Sequence, residues 1–559
     1  MSDPVHVDQQ AHHEMDLWMS GRIDAGDPGA QLAVSLHREV PFSKAYGMAD
    51  LERSLPLTAH SQLDAGSVIK VLTGLAVAML EEDGALPVET KLRDVLPDFP
   101  AYGSDLRIKH LLHHESGLRN YTVLLYYMTG WHEQAPPSSD EVYASICRAG
   151  SLGFEPGSKY EYCDSNYFLL ARIIEYVTSS RFGAFIEKRI LRPLGMASSV
   201  IVDDVSLDLS VWAQGYVSYP SKLRSPHAYR SSSSDDGFYP ARLRYTHVGA
   251  EGLRTTAQDL LILGQHLMGP SDVLSAPIRE RVLCAPRMRD DGFGYAYGLN
   301  VGTFRGMRFF GHSGEIQGFT ATMTCFPDEN LSIACLTNRQ DVSAWACRNY
   351  VLDRLVGPRS ASRALNDICR EQTTWSATLA GFYLDPISAT ALEISVTDGE
   401  LGVCLGGGPV SALSGSGPWH TQGGLMILCA HAQDMMDEAR PSLIVHNEHV
   451  ASVFVPFIEH IDQKALAAYE GVYTCDALAT SFRVEAVLGA LRLTNQDVRC
   501  PSMDLDYTPT IKDFFWSHDP HPVLSQLQFL REESGIGGFV YRDADGDRRE
   551  DFRFVRVSS

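Results

Sequence analysis

From Val68 to Leu80 the chain is apolar almost without interruption, and it continues through Glu81 and Glu82 to Gly84. A segment apolar all round predicts a buried helix. The break at Gly66 sets Ser67 at its first turn. A second run of helical spacing begins at Tyr167 and ends near Thr178, behind a turn marked by Pro156-Gly157. Tyr162 and Asp164 then fall on a short loop before a core helix, where polar side chains can project into a cleft. A third pattern is β-rich, Phe309 to Pro327 followed by Leu331 to Asn338, with Asp328-Glu-Asn330 between them, and it predicts a hairpin. Glycines 311, 314 and 318 would let another group approach the first of these runs closely.

The pattern changes near residue 356. Helical and strand periods mix before it, as in an α/β domain. After it, short alternating strands are separated by Gly, Asp and Asn turns. Ala380-Gly-Phe-Tyr and Glu470-Gly-Val-Tyr each open a similar stretch, and Gly381 and Gly471 lie 90 residues apart (471 − 381). That period accommodates one small up-and-down β-barrel each. The expected organisation is a catalytic domain over 1–355, a linker over 356–372, a first barrel over 373–460 and a second over 461–559.

Composition narrows the function classes. With 559 residues, 44% of them hydrophobic, the chain builds several sizeable cores. A net charge of −22, from 69 acidic and 47 basic residues with no basic run, argues against a nucleic-acid partner and suits an amine-bearing substrate. The opening Met1-Ser-Asp-Pro-Val-His carries no apolar signal segment, and no window approaches 18 uninterrupted apolar residues, so no membrane partner is expected. The 11 cysteines are odd in number and scattered, as in reduced cytosolic proteins, and a cytoplasmic location is the expectation.

Ser67-Val-Ile-Lys70 is the only Ser-x-x-Lys in the chain. Positions i and i+3 share a helix face, so Lys70 stands beside the Ser67 hydroxyl, which needs a proton acceptor to become a nucleophile. The helix N-terminus also favours a developing oxyanion. Taken singly, Tyr162 reads as a half-buried tyrosine, Asp164 as a helix cap and His312 as structural. His12-His13-Glu14 and His113-His114-Glu115 do not make chelates, because adjacent side chains leave a helix on different sides. No metal or other cofactor is expected. Asp543-Ala-Asp-Gly-Asp547 has Arg548 where a calcium loop needs glycine, and reads as a hairpin turn.

Together, Ser67-x-x-Lys70, Tyr162-Cys-Asp164 and His312-Ser-Gly314 resemble the motifs of the serine β-lactamase and penicillin-binding-protein superfamily, in its class C-like branch (peptidase family S12) of D-aminopeptidases, esterases and DD-peptidases. Ile108 to Leu118, ending in Ser-Gly-Leu, is similar to that family's helix-to-loop segment. Ser116 to Tyr121 and Phe154 to Cys163 look most like the D-aminopeptidases. The resemblance spans about residues 28 to 355. It implies an antiparallel sheet flanked by helices, with a helical subdomain, and the layout of a catalytic domain followed by two small lipocalin-like antiparallel barrels is also that of the D-aminopeptidases.

Carried over, the resemblance makes Ser67 the acylated nucleophile, Lys70 its base or proton partner and Tyr162 a proton shuttle. His312 stands where many relatives have lysine, Gly314 leaves room for substrate, and the backbone N–H groups of Ser67 and Glu315 form the oxyanion hole. Asp164 replaces the family's asparagine. An ionised carboxylate accepts hydrogen bonds where an amide donates them, so Asp164 pairs with Lys70, selects a substrate amine, or stays protonated in a shielded site. The loop that in relatives reaches the cleft corresponds to a stretch within Asn495 to Tyr507, where Asp504 or Asp506 either meets a substrate ammonium or belongs to a plain surface loop. The implied function is a serine hydrolase of small amino-acid amides, esters or short peptides. The alternatives are a transacylase or cyclase with an amine acceptor, and a catalytically dead binding module. A homodimer is left open.

Overall fold

The computed structural model describes residues 7–129, 137–203, 212–218, 238–241, 248–289, 292–304, 306–339 and 342–356, and from 381 onward the elements named below.

In chain order the first part contains α1 (Gln9–Ser20), β1 (Ala30–Leu36), β2 (Glu39–Tyr46), α2 (Ile69–Glu82), α3 (Ile108–Leu112), α4 (Tyr121–Thr129), α5 (Ser139–Arg148), α6 (Asp164–Thr178) and α7 (Ala257–Met268). It continues with β3 (Phe293–Tyr295), β4 (Asn300–Phe304), β5 (Met307–Ile316), β6 (Phe319–Phe326), β7 (Leu331–Thr337) and α8 (Ala344–Val356). Among the described residues β1 to β7 form one antiparallel sheet in the order β3-β4-β5-β6-β7-β1-β2. Its centre is covered on both faces, so β1 and β7 are buried at every position and mostly apolar instead of alternating, with Gln31, Ser35, Ser332 and Thr337 as their buried polar members. Successive side chains still point to opposite faces. Leu331, Ile333 and Cys335 pack with α1 and α8, while Ala334 and Leu336 join the larger core that holds α2, α6 and α7.

The expected hairpin across Asp328–Asn330 is present as β6 and β7. The run from Phe309 to Pro327 is two strands, not one. Gln317-Gly318 turns the chain between Ile316 and Phe319, and Gly318 adopts a positive φ of 81° that a two-residue turn demands.

β5 is bounded unequally. Pairing with β4 runs only from Met307 to Gly311, whereas pairing with β6 covers Phe310 to Ile316. From His312 onward one edge is therefore without a β4 partner, and the Ala65–Ser67 turn lies against it. A Cβ on Gly314 would fall 1.9 Å from the Ala65 carbonyl oxygen, and one on Gly66 would fall 3.1 Å from the Glu315 nitrogen. Only glycine permits this backbone-to-backbone approach.

Beyond 380, eight strands from Gly381–Leu384 to Val450–Pro456 form a sheet whose outermost members are Ser411–Ala412 and Trp419–His420. Eight more, from Gly471–Cys475 to Phe552–Arg556, pair in sequence, and the last returns to the first at Tyr473↔Arg556 and Thr474↔Val555. Two small barrels are thus not confirmed, because the end strands of the first sheet do not pair among the described residues. The expected linker lies outside the described residues from 357 to 372, as do residues 544–547 of the Asp543–Asp547 turn and 548–551 after it. The strands flanking that turn do pair, Tyr541 with Phe552. Residues 497–503 of the expected cleft loop also lie outside, while Asp504 and Asp506 belong to the strand Asp504–Ile511.

Candidate active site

Ser67 sits in a single 3₁₀ turn, Gly66–Val68, that leads into α2. Two hydrogen bonds and one positive φ fix the turn. The Gly66 N–H donates to Asp64 Oδ1 at 2.8 Å, the Ala65 N–H donates to the Leu253 carbonyl at 2.9 Å, and Gly66 takes a φ of 49°. Asp64 is itself held by Arg254, Nε to Oδ2 at 3.4 Å.

One helical turn on, Lys70 is fully buried. Its Nζ donates to Ser67 Oγ at 2.7 Å and to the Ala250 carbonyl at 3.0 Å, and it lies 2.8 Å from Asp164 Oδ1. The spacing expected from sequence therefore brings the hydroxyl and the amine into direct contact. Asp164 opens α6 as its first residue, with Cys163 at the N-cap, so it is not the cap expected of it alone. Its other oxygen, Oδ2, accepts from Asn120 Nδ2 at 3.2 Å. Of the three alternatives open for Asp164, the first has its geometry here, with Oδ1 within reach of Lys70 Nζ.

Tyr162 projects its ring beneath Lys70, 5.0 Å from Nζ to the centroid, and its centroid is 6.2 Å from that of His312. His114 packs on the same ring at 4.3 Å and accepts the Cys163 N–H on Nδ1 at 3.1 Å. The loop before α6 is thereby anchored on both sides of Tyr162.

His312 is buried within β5. Burial in the company of the Lys70 charge pushes its imidazole down to about 3, so the ring is neutral at ordinary pH. Tyr295 lies against it with its hydroxyl 2.8 Å from Nε2, and burial raises the Tyr295 phenol well above its usual range. The phenol therefore donates and Nε2 accepts, while Nδ1–H donates to the Ser313 carbonyl. The residue expected at a lysine's place is an uncharged ring with both nitrogens engaged.

Gly314 and the Glu315 backbone line the Ser67 turn, as the glycine contacts above require. The structure thus gathers Ser67, Lys70, Tyr162, Asp164, His312, Gly314 and Glu315 in one place. Sequence reasoning missed Asn120, His114 and Tyr295. His114 had drawn notice only as one of two adjacent histidines. In the other histidines of these pairs, His113 Nδ1 is 3.0 Å from the Tyr295 carbonyl, and His12 lies against Phe42 with the rings tilted by 60°. Among the described residues no three His, Cys, Asp or Glu side chains converge as a metal site, and no helix is long and apolar enough to cross a membrane.

Known proteins are similar to this chain in sequence and in fold. The D-aminopeptidase of Cereibacter sphaeroides is 26% identical over 368 residues, 66% of this chain and 65% of that relative. The D-aminopeptidase of Brucella anthropi is 28% identical over 315 residues, 56% of each. The chain thus spans less than two thirds of the length of these relatives. The octameric penicillin-binding protein homologue from Pyrococcus abyssi is similar in fold, with a TM-score of 0.53 at 17% identity, over 98% of this chain and 100% of that one. A family model described as beta-lactamase matches residues 9–356, and the chain belongs to the beta-lactamase family.

Proposed function

We propose that this protein is a serine acyl-enzyme hydrolase acting on small amino-acid amides, esters or short peptides, in the manner of a D-aminopeptidase. The observation that carries the reading is the 2.7 Å contact between Ser67 Oγ and the buried Lys70 Nζ, beside the open edge of β5. Ser67 is the nucleophile, Lys70 and Tyr162 handle protons, and the backbone N–H groups of Ser67 and Glu315 receive the oxyanion. A neutral His312 has no charge to offer a substrate carboxylate, which supports amides and esters over substrates that end in one beside the scissile bond. The D-aminopeptidase relatives support the same class.

The test is mass-spectrometric product analysis with D- and L-amino-acid amides and methyl esters, each with and without an added amine. Free acid from the D-substrates, lost in Ser67→Ala, is the expected result. A second reading, acyl transfer to an amine, draws on the Lys70–Asp164 pair, which departs from the family's asparagine. Amide product in preference to free acid would establish it.

A further inference from the structure

Lys70 Nζ has oxygen neighbours at 2.7 Å on Ser67, 2.8 Å on Asp164 and 3.0 Å on the Ala250 carbonyl. An ammonium that directs its three N–H bonds at these three oxygens donates to the serine and has no lone pair left to take the serine's proton. A base arises only when the ammonium gives up a proton first, and Asp164 Oδ1 stands in place to take it. Lys70 and Asp164 are 0% and 2% exposed in their side chains. In such a shielded site the neutral amine and carboxylic acid escape the desolvation cost that burdens two charges, which brings the two forms of the pair closer in free energy. The carboxylate is also aimed. Asn120 donates Nδ2–H to Oδ2, leaving Oδ1 turned to Lys70, and the orientation of the Asn120 amide is set by the Thr122 N–H donating to its Oδ1 at 3.1 Å.

We infer that Ser67, Lys70 and Asp164 form a three-member proton relay in which Asp164 is the terminal acceptor and Asn120 its positioning residue; the inference rests on the acyl-enzyme reading above. A proton passes from Lys70 Nζ to Asp164 Oδ1. Ser67 Oγ then bonds to the substrate carbonyl carbon, its proton moves to the Lys70 amine, and the carbonyl electron pair moves onto oxygen. The oxyanion's pair then re-forms the carbonyl as the carbon–nitrogen bond breaks, leaving the acyl group on Ser67 Oγ; the broken bond's pair leaves with nitrogen, which takes a proton from Lys70. Lys70 recovers one from Asp164, and ammonium and carboxylate are restored. Other titratable groups packed here are Tyr162 beneath Lys70, His312 and Tyr295 beyond it, and Asp64 with Arg254 at Gly66.

The experiment is the rate of Ser67 phosphonylation by an alkyl fluorophosphonate, read by mass spectrometry against pH, for wild type, Asp164→Asn and Asn120→Ala. The probe forms an Oγ–P bond and expels fluoride, so it needs no knowledge of the natural substrate. Asparagine cannot take the proton, and Asp164→Asn is expected to react about 100-fold slower. Equal or faster labelling overturns the relay and makes Asp164 a brake on Lys70, with the serine-enzyme reading intact. No labelling of wild-type Ser67 overturns that reading and the relay with it. Should Asp164→Asn fail to fold, Asn120→Ala decides. Labelling about tenfold slower, with the acidic limb of its pH profile moved to higher pH, supports the relay, and an unchanged rate and profile overturns it.

Discussion

Tyr295 gives its hydroxyl hydrogen to His312 Nε2 across 2.8 Å, and by doing so joins β3 to the unpaired half of β5 inside the site. The neutral ring has a stability consequence. His312 is held down to about 3, against 6.5 when unfolded. Below pH 6.5 the unfolded chain gains a proton that the folded chain refuses, so this residue's contribution to stability falls as pH falls from 6.5 towards 3. At pH 5 the loss is about 2 kcal/mol. Urea titrations at pH 7 and pH 5 are expected to show a smaller pH difference for His312→Gln than for wild type by that amount.

Removing one partner of a buried ion pair leaves the other charge uncompensated. Lys70→Met is expected to lower stability by about 3–5 kcal/mol, and Lys70→Met combined with Asp164→Leu to recover most of that loss. The double variant has no route to activity, so chemical denaturation of the two proteins is the measurement. A double variant no more stable than Lys70→Met would show that the cost comes from packing and not from the orphaned carboxylate.

A helix-interior glycine is ordinarily improved by alanine, by about 1 kcal/mol. Gly74 in α2 reverses the rule, because a Cβ there would lie 2.1 Å from the Tyr297 carbonyl oxygen. That atom is backbone and cannot swing aside. Gly74→Ala is expected to destabilise by about 1–3 kcal/mol, as overpacking does, with thermal melting as the readout.

Gly314→Ala places a methyl 1.9 Å from the Ala65 carbonyl oxygen and 3.0 Å from the Ser67 nitrogen. The Ser67 turn must back away from β5. Turnover of whichever ester or amide the wild type accepts is expected to drop by about 100-fold or more, since a shift of about 1 Å in a reacting group costs that much. Circular dichroism should remain that of the wild type.

Much of the site was legible because short-range geometry is periodic. Ser67 and Lys70 meet because a helix brings i and i+3 together, and Ser67 falls where Gly66 interrupts the apolar run. The partners that finish the site were not legible. Asn120 reaches Asp164 across 44 positions, and His114 reaches Cys163 across 49. Nothing local distinguishes that asparagine or that histidine from others, since their roles arise only when α6 packs beside the loops that follow α3. Gln317-Gly318 did carry a turn signal. It was masked because the apolar residues on either side continue without a change of period. Closure of the last sheets depends on pairing between strands distant in sequence, which strand periodicity alone does not encode.

At the Gly66 and Gly314 crossing no side chain stands between the Ser67 turn and the strand that faces it. Against that strand the serine is positioned by main chain pressed on main chain, and main chain is common to every sequence that can fold this way. Side chains around the site can therefore be exchanged to suit new substrates without disturbing the alignment of hydroxyl and amides. Reactivity and selectivity are separately adjustable in a site built this way.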